Sequence, residues 1–308
     1  MQRPNLLYIL SSGRSGSTLI DLVLGNNPGL ISLGEFHRLS VYARDGELCT
    51  CGAAVVACPF WLGVSRFASL LFGGKEEPAT TLRQREVMLR KDRIGAARNI
   101  IQMSLLSSGL TPPAWLATRL IGSNHAEAIE NSWVWIQAIR QTTGCNTVVE
   151  STKDVRRLKQ YFLSDPERIR VLHLTRDGRA VAASAMRRTG CSMRYAAREW
   201  VCKNRRIAAV LRGIPSSSIC RMRYEDFCAD PGAETARVLA LLGQGDLQPK
   251  VELNKMERHN IGGNPMRFDR RITKIKLDTR WHSQLDTKAL AEFATVAGRL
   301  NERFGYDT

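Results

Sequence analysis

A glycine- and serine-rich loop near the N-terminus has the composition of an anion-binding site. It reads Ser-Ser-Gly-Arg-Ser-Gly-Ser-Thr over residues 11–18, between an apolar run at 5–11 and a segment of helical periodicity at 18–24. Backbone N–H groups at a helix N-terminus lack partners and bind phosphate, and glycines let the backbone approach closely. The loop is therefore predicted to bind an anion through Gly13, Arg14, Ser15, Gly16, Ser17 and Thr18.

The same loop departs from the phosphate loop of nucleoside triphosphatases. That motif needs a lysine directly before its Ser/Thr, whereas Gly16 is followed by Ser17 and Thr18. A nucleotide kinase, which has a similar fold, is therefore an alternative, but this chain lacks the lysine that carries the positive charge of the kinase loop. A glycine turn capped by a serine is the structural alternative.

A second anion-binding pattern lies in the middle of the chain. Arg176 ends a predicted strand at 169–175, and Ser184 follows eight residues later in a predicted helix at 178–188. The carboxyl ends of parallel strands open onto the ligand crevice of an α/β sheet. We therefore expect Arg176 and Ser184 to bind one phosphate from two sides, with an ordinary surface arginine as the alternative.

The elements that must position these residues alternate between strands and helices. Apolar runs bounded by turn residues predict strands at 5–11, 30–33, 147–150, 169–175 and 218–224. Helical patterns occur at 18–24, 153–162, 178–188, 193–211, 234–242 and 287–304. This order predicts an α/β fold: a parallel, P-loop-like sheet with helices on both faces. We expect one domain over 1–308, with a cysteine-containing loop at about 45–63 and a helical cap or insertion at about 64–140.

The chain is strongly basic, with a formal net charge of +16. Fourteen of its Lys and Arg residues, against two carboxylates, lie between Arg168 and Arg223. Such charge suits polyanions, phosphorylated ligands or peripheral contact with a membrane. A nucleic-acid-binding protein is one alternative, but the chain has no zinc-finger or recognition motif and only 7% aromatic residues, so we expect no nucleic acid partner. No apolar run approaches the ~18–20 residues of a membrane span, and no signal peptide is evident; a cytoplasmic location is expected.

Three of the eight cysteines are clustered at Cys49, Cys51 and Cys58. Zinc sites usually have four ligands and a wider first spacing than Cys-x-Cys, and no fourth ligand is obvious. Free, packed thiols are the preferred interpretation, with a disulfide and a structural zinc ion as alternatives. We accordingly expect no metal.

Several motifs together resemble the sulfotransferase family that uses 3′-phosphoadenosine 5′-phosphosulfate, especially its bacterial and tyrosylprotein-like branch. The resemblance covers residues 5–37, 147–188 and 218–270 in the family's order, and 64–140 resembles nothing recognisable. The motifs are the loop 13–19, Gly34-Glu35, Lys153-Asp154, Thr175–Ser184, Arg223–Phe227 with Asp230-Pro231, and His259–Asn264 with Met266-Arg267.

The resemblance implies transfer of a sulfonate group from this nucleotide co-substrate to an acceptor hydroxyl, with no metal. By the family's assignments, Glu35 is the general base, and Arg14 and Lys153 stabilise negative charge. His37 is the alternative base, and an orienting or salt-bridged carboxylate is the structural alternative for Glu35. The nucleotide contacts implied are the loop 13–18 together with Arg176, Ser184, Gly263, Asn264 and Arg267. The Arg-Lys-Gly motif of cytosolic members is absent.

The acceptor is not specified by any of these motifs. We expect residues 45–140 and 187–212 to determine it. The basic charge favours a carbohydrate or glycolipid hydroxyl, with a small metabolite or phenol as the alternative. No pattern indicates the oligomeric state.

Overall fold

A single parallel sheet organises the computed structural model, which describes residues 5–74, 76–89, 123–253, 258–269, 271 and 273–307. The strand order is β2-β3-β1-β4-β5, and every neighbouring pair is parallel. The strands are β1 (Asn5–Ser11), β2 (Leu30–Ser32), β3 (Thr147–Glu150), β4 (Ile169–Thr175) and β5 (Ile219–Arg223). The predicted α/β fold with a parallel sheet is confirmed.

The central strand explains why the sheet is covered on both sides. Leu6, Leu7, Tyr8, Ile9 and Leu10 of β1 are all fully buried. Successive side chains point to opposite faces, so the even-numbered residues join one apolar cluster and the odd-numbered ones another. Because both faces of β1 need apolar partners, helices pack on each side, as in other parallel sheets.

The helices follow the strands along the chain. They are α1 (Ser17–Leu24), α2 (Leu39–Asp45), α3 (Pro59–Leu71), α4 (Pro78–Gln84), α5 (Ser123–Thr143), α6 (Val155–Ser164), α7 (Gly178–Thr189), α8 (Met193–Leu211), α9 (Tyr224–Ala229), α10 (Pro231–Leu241), α11 (Trp281–Gln284), α12 (Thr287–Phe293) and α13 (Arg299–Arg303). Short 3-10 turns occupy Phe36–Arg38, Val55–Ala57, Pro166–Arg168, Ser216–Ser218 and Pro265–Phe268. Within the described part of the chain, no helix has the length and apolar character needed to cross a membrane.

The described residues of the predicted helical insertion at 64–140 contain helices, with non-helical residues at 72–74, 76–77 and 85–89. Helices α3, α4 and α5 lie in or overlap this range, and the fully buried Trp61 and Trp135 belong to one apolar cluster with the sheet. The remainder of the predicted insertion, residues 90–122, lies outside the described residues.

Several predicted helix boundaries are wrong for local physical reasons. The helix predicted to begin at Lys153 begins at Val155, because Asp154 caps it by accepting a hydrogen bond from the Arg156 amide (2.8 Å). The helix predicted from residue 234 begins earlier, at Pro231. The helix predicted over 287–304 is interrupted by a π-helical turn at Ala294–Gly298.

Candidate functional site

A cleft of about 770 Å³ opens at the carboxyl ends of the strands. In a parallel sheet the loops after the strands meet at this edge, which is the usual ligand crevice. Most of the predicted site residues line it: Gly13, Arg14, Gly16, Ser17, Thr18, Glu35, Lys153, Arg176, Ser184, Gly263, Asn264 and Arg267.

The loop after β1 leads directly into helix α1. Gly16 adopts a left-handed conformation (φ 87°), and a Cβ atom there would lie 2.3 Å from the ring of Tyr224. Glycine is therefore required both by the backbone and by the close approach of Tyr224. Ser15 differs from the prediction, because its side chain is fully buried and its hydroxyl lies 2.8 Å from that of Ser12. Ser15 is therefore not among the residues that line the cleft.

Arg176 lies at the cleft in direct contact with the loop after β1. Its Nη1 donates to the carbonyl of Arg14 (3.1 Å), and its guanidinium lies 4.5 Å from the centroid of the Tyr224 ring. Its Nη2 lies 3.4 Å from a carboxylate oxygen of Asp278. The buried Nε has no hydrogen-bond partner among the described residues. The two anion-binding patterns of the sequence, 13–18 and 176–184, are thus brought to one cleft.

Glu35 and Lys153 form an ion pair on the cleft wall. Lys153 Nζ lies 3.0 Å from Glu35 Oε1 and also donates to the carbonyl of Ser151 (2.8 Å). The hydroxyl of Tyr42 donates to the other Glu35 oxygen (3.5 Å). Lys153 has a positive φ of 65°, an unusual backbone conformation for a residue with a long side chain. The surrounding structure holds this lysine in place against its local backbone preference.

The charge state of Glu35 follows from its neighbours. Burial raises its pKa, but the positive charge and hydrogen bond of Lys153, with the charges of His37 and Arg38, lower that pKa below its ordinary value. Glu35 is therefore ionised at neutral pH. Burial, with the nearby charge of Arg157, lowers the pKa of His37 to about 4. His37 is neutral at pH 7, but it is not among the residues that line the cleft.

A segment from the C-terminal part of the chain forms the opposite wall. Ile261 pairs with Gly34, and the Glu35 amide donates to the Ile261 carbonyl (2.7 Å). The Asn264 amide lies 3.4 Å from the Thr18 hydroxyl. This segment therefore contacts both the loop after β1 and Glu35.

Arg267, which the sequence predicts as a nucleotide contact, also has partners within the protein. Its Nη1 donates to the carbonyl of Gly263 (3.3 Å), and its Nη2 lies 3.0 Å from Glu47. Its side chain is only 4% exposed. Arg267 therefore supports the Gly263 backbone, in addition to lining the cleft.

Other cleft residues were missed by the sequence analysis. Nine Lys or Arg side chains line the cleft against three carboxylates in the part of the chain that the structure describes, which makes it strongly electropositive. The missed charged residues are Arg38, Glu47, Arg188, Lys274, Lys276, Asp278 and Arg280. The segment after residue 270 is irregular and matches no motif. Its density of basic residues is the one sequence signal that could have pointed to these contributions.

The clustered cysteines lie directly behind the C-terminal wall. Cys51 and Cys58 Sγ atoms are 3.6 Å apart and those of Cys49 and Cys58 are 3.7 Å apart, so these cysteines are not joined by a disulfide. His259 completes a group of four metal-binding side chains with them. The sequence offered no fourth ligand because His259 lies about two hundred residues further along the chain.

Asp21 is a buried carboxylate beneath the cleft. One of its oxygens accepts from Asn260 Nδ2 (2.9 Å), and the other has no partner among the described residues. Burial raises the pKa of Asp21 to about 7, although hydrogen bonds from Ser32 and Asn260 and the charge of Lys153 oppose this. The folded protein therefore binds this proton more tightly than the unfolded chain does.

This raised pKa makes stability depend on pH. The stabilisation is complete below the ordinary Asp pKa of 3.8 and is lost as the pH rises through about 7. We expect the free energy of unfolding to fall over this interval by up to about 1.4 kcal/mol per pH unit. Urea titrations at several pH values should show that Asp21→Asn removes this slope and that Asp246→Asn, at an exposed site, keeps it. An unchanged slope in Asp21→Asn would contradict the assignment.

Comparisons with known proteins agree with this geometry. Residues 125–246, which include β3, β4 and the Arg176–Ser184 segment, match the sequence model of the Sulfotransferase family. The comparison with curated proteins gives no match.

Two solved structures share the fold over the whole chain. The sulfotransferase domain from the Synechococcus PCC 7002 olefin synthase is 21% identical, with a TM-score of 0.54 and coverage of 100% of this chain and 97% of that one. The sulfotransferase domain from the curacin biosynthetic pathway is 15% identical, with a TM-score of 0.51 and coverage of 100% and 99%. Part of the chain thus matches the sequence model of the Sulfotransferase family, and the whole chain shares its fold with two sulfotransferase domains.

Proposed function

We propose that this protein transfers a sulfonate group from 3′-phosphoadenosine 5′-phosphosulfate to an acceptor hydroxyl. The observation that supports this best is the meeting of two anion-binding features in one cleft, where Arg176 Nη1 contacts the Arg14 carbonyl at 3.1 Å. This nucleotide carries negative groups at both its 3′ and 5′ ends. The cleft, at about 770 Å³, is in the usual range for small-molecule sites, and most of the charged residues that line it are cations.

The residues present fit the donor. In this proposal, the loop 13–18 holds the 5′-phosphosulfate through its backbone and through the hydroxyls of Ser17 and Thr18, which line the cleft. Arg176 and Ser184, which both line the cleft, are proposed to hold the 3′-phosphate. Gly263 and Asn264 lie against the nucleotide from the opposite wall.

In the proposed reaction, the acceptor oxygen forms a bond to sulfur. The bond from sulfur to the bridging oxygen of the 5′-phosphate breaks, and its electron pair leaves with adenosine 3′,5′-bisphosphate. The hydroxyl proton passes to Glu35, which is ionised at neutral pH and lines the cleft. Arg14 and Lys153 stabilise the negative charge on the sulfonate and bridging oxygens.

Glu35 is favoured over His37 as the base on two observations. Its carboxylate lines the cleft and His37 does not. It is also paired with Lys153 at 3.0 Å, so the base and the cation for the leaving oxygen lie side by side. A carboxylate with a lowered pKa is a weak base, and it serves here because the acceptor proton is transferred while the sulfonate bond forms.

The acceptor hydroxyl is proposed to belong to a carbohydrate or glycolipid, with a small metabolite or phenol as the alternative. The cleft beside Glu35 continues along Arg38, Tyr42 and Glu47, a polar wall with one aromatic ring. Such a wall can hydrogen-bond several hydroxyl groups. Incubation of the protein with donor carrying ³⁵S and candidate acceptors, followed by location of the label, tests both the reaction and the acceptor; absence of transfer to every class would oppose the proposal.

Arg176→Ala is expected to weaken binding of adenosine 3′,5′-bisphosphate by about 1.5–3 kcal/mol, the scale of a charged hydrogen bond. Binding of adenosine 5′-monophosphate should change much less, because it lacks the 3′-phosphate. Titration calorimetry measures both affinities. Arg187→Ala is the matched control, since Arg187 is exposed on the same helix as Ser184 and does not line the cleft. If Arg176→Ala loses the same affinity for both nucleotides, Arg176 does not bind the 3′-phosphate.

A further inference from the structure

Three cysteines and one histidine converge behind the C-terminal wall of the cleft. Their ligand atoms, from Cys49, Cys51, Cys58 and His259, all lie within 4.8 Å of one another. Cys58 Sγ is 3.6 Å from Cys51 Sγ and 3.4 Å from His259 Nδ1. Cys49 Sγ is 3.7 Å from both Cys58 Sγ and His259 Nδ1. The histidine comes from a different part of the chain, so this arrangement is a product of the fold.

These four separations are close to the edges of a tetrahedron around one metal ion, and the two remaining separations among the four ligand atoms are no more than 4.8 Å. With Zn–S near 2.3 Å and Zn–N near 2.0–2.1 Å, a regular tetrahedron has edges of about 3.8 Å between sulfurs and about 3.6 Å between sulfur and nitrogen. A disulfide would instead bring two sulfurs to about 2.05 Å. We propose that these four residues form a structural zinc site.

The local backbone is built to deliver the two closely spaced cysteines. The Cys49 amide donates to the Ala53 carbonyl (2.9 Å), and the Gly52 amide donates to the Cys49 carbonyl (2.9 Å). Gly52 takes a left-handed φ of 96° in this tight turn. This turn brings the sulfur atoms of Cys49 and Cys51 within 4.8 Å of each other. The short Cys-x-Cys spacing therefore does not prevent both cysteines from binding one ion.

The other two ligands are fixed by packing. Cys58 immediately precedes helix α3 and is fully buried, as is Cys49. The His259 ring stacks on Phe60 with centroids 4.5 Å apart, and its carbonyl accepts a hydrogen bond from Trp61 (3.1 Å). Four protein ligands leave no open position, which is the pattern of structural zinc sites, and a set of three thiolates and one imidazole suits zinc better than magnesium or calcium.

The site joins two segments that are distant in sequence. Thr50, inside the cysteine turn, exchanges hydrogen bonds with Asn260: its amide donates to the Asn260 carbonyl (3.2 Å), and its hydroxyl accepts from the Asn260 amide (2.9 Å). The next residue, Ile261, accepts from the Glu35 amide (2.7 Å). A zinc ion bound to His259 would therefore fix the position of the following residues, including Ile261, whose carbonyl accepts the hydrogen bond from Glu35. This positioning role rests on the proposed function, whereas the metal site itself does not.

Metal analysis of the purified full-length chain tests the proposal. Protein prepared with reductant and without chelator is expected to contain about one zinc per chain, as four-ligand sites do. His259→Ala and Cys58→Ser should lose most of it, and Cys202→Ser, a cysteine outside the cluster, should keep it. Because the first two variants can fail to fold, cobalt substitution of the unaltered chain provides a second measurement. Tetrahedral thiolate coordination should give intense visible d–d bands and thiolate-to-cobalt charge-transfer absorption.

Two results would overturn the site. One is a metal-free, folded chain that takes up neither zinc nor cobalt; the other is a disulfide among these cysteines in the mass spectrum of the unreduced protein. Either conclusion is independent of catalysis. A chain with one zinc but no sulfonate transfer would leave the metal site standing and oppose the proposed function.

Discussion

Replacement of Glu35 by glutamine is expected to lower kcat by about 10²–10⁴-fold, the usual contribution of a general base. The amide has nearly the same shape as the carboxylate but cannot take the acceptor proton. Nucleotide affinity should hardly change, because Glu35 is paired with Lys153 and lies beside the phosphate loop instead of forming it. Single-turnover transfer of ³⁵S measures the rate, and calorimetry with adenosine 3′,5′-bisphosphate measures binding.

His37→Gln is the matched control for this prediction. His37 lies two residues further along the chain and is neutral at pH 7, since burial lowers its pKa to about 4. It does not line the cleft, so its replacement should change kcat only a few-fold. The opposite pattern, a large loss in His37→Gln with normal turnover in Glu35→Gln, would transfer the role of base to His37.

The sheet was predictable because its strands carry strong local signals. The bounds of β1, β3 and β4 agree with the predicted residues, since each is an apolar run that ends at a polar or glycine-rich turn. Helix α2 at Leu39–Asp45 was not predicted, because it follows a short 3-10 turn without a capping signal. The sequence pattern predicts that Lys153 begins a helix, but its backbone is left-handed (φ 65°). A lysine does not favour this conformation, so the sequence gives no sign of it.

The site was predictable where it follows the strands. Arg14, Glu35, Lys153 and Arg176 each come just after a strand, and a parallel sheet brings those strand ends to one edge. Their roles in the reaction remain proposals. The contributions of Lys274–Arg280 and His259 could not be inferred, because they come from irregular segments whose position depends on long-range packing. Similarly, the inward turn of Ser15 depends on a contact with Ser12 that the motif does not reveal.

A second large effect is expected on stability, at the ion pair between Arg157 and Glu150. Both side chains are at most 1% exposed, and Arg157 Nε lies 2.7 Å from Glu150 Oε1. Arg157 also donates to the carbonyl of Val87 (2.6 Å) and to the hydroxyl of Ser132 (3.1 Å). This one guanidinium thus links β3 and α6 to helix α5 and to the segment after α4.

Arg157→Met is expected to lower the free energy of unfolding by about 3–5 kcal/mol, because it leaves the Glu150 charge buried without its partner. Arg156→Met is the control: its ion pair with Asp154 is partly exposed (38% and 26%), and such pairs contribute about 0–1 kcal/mol. Urea titrations of both variants measure the difference. The double variant Arg157→Met with Glu150→Gln separates the lost pair from lost packing, because removing the unpaired charge should restore part of the stability. If the double variant loses the sum of the losses measured for Arg157→Met and for Glu150→Gln alone, burial of an unpaired charge is not the cause. The lost contacts of the Arg157 guanidinium with the rings of Phe36 and Tyr161 must then account for the effect.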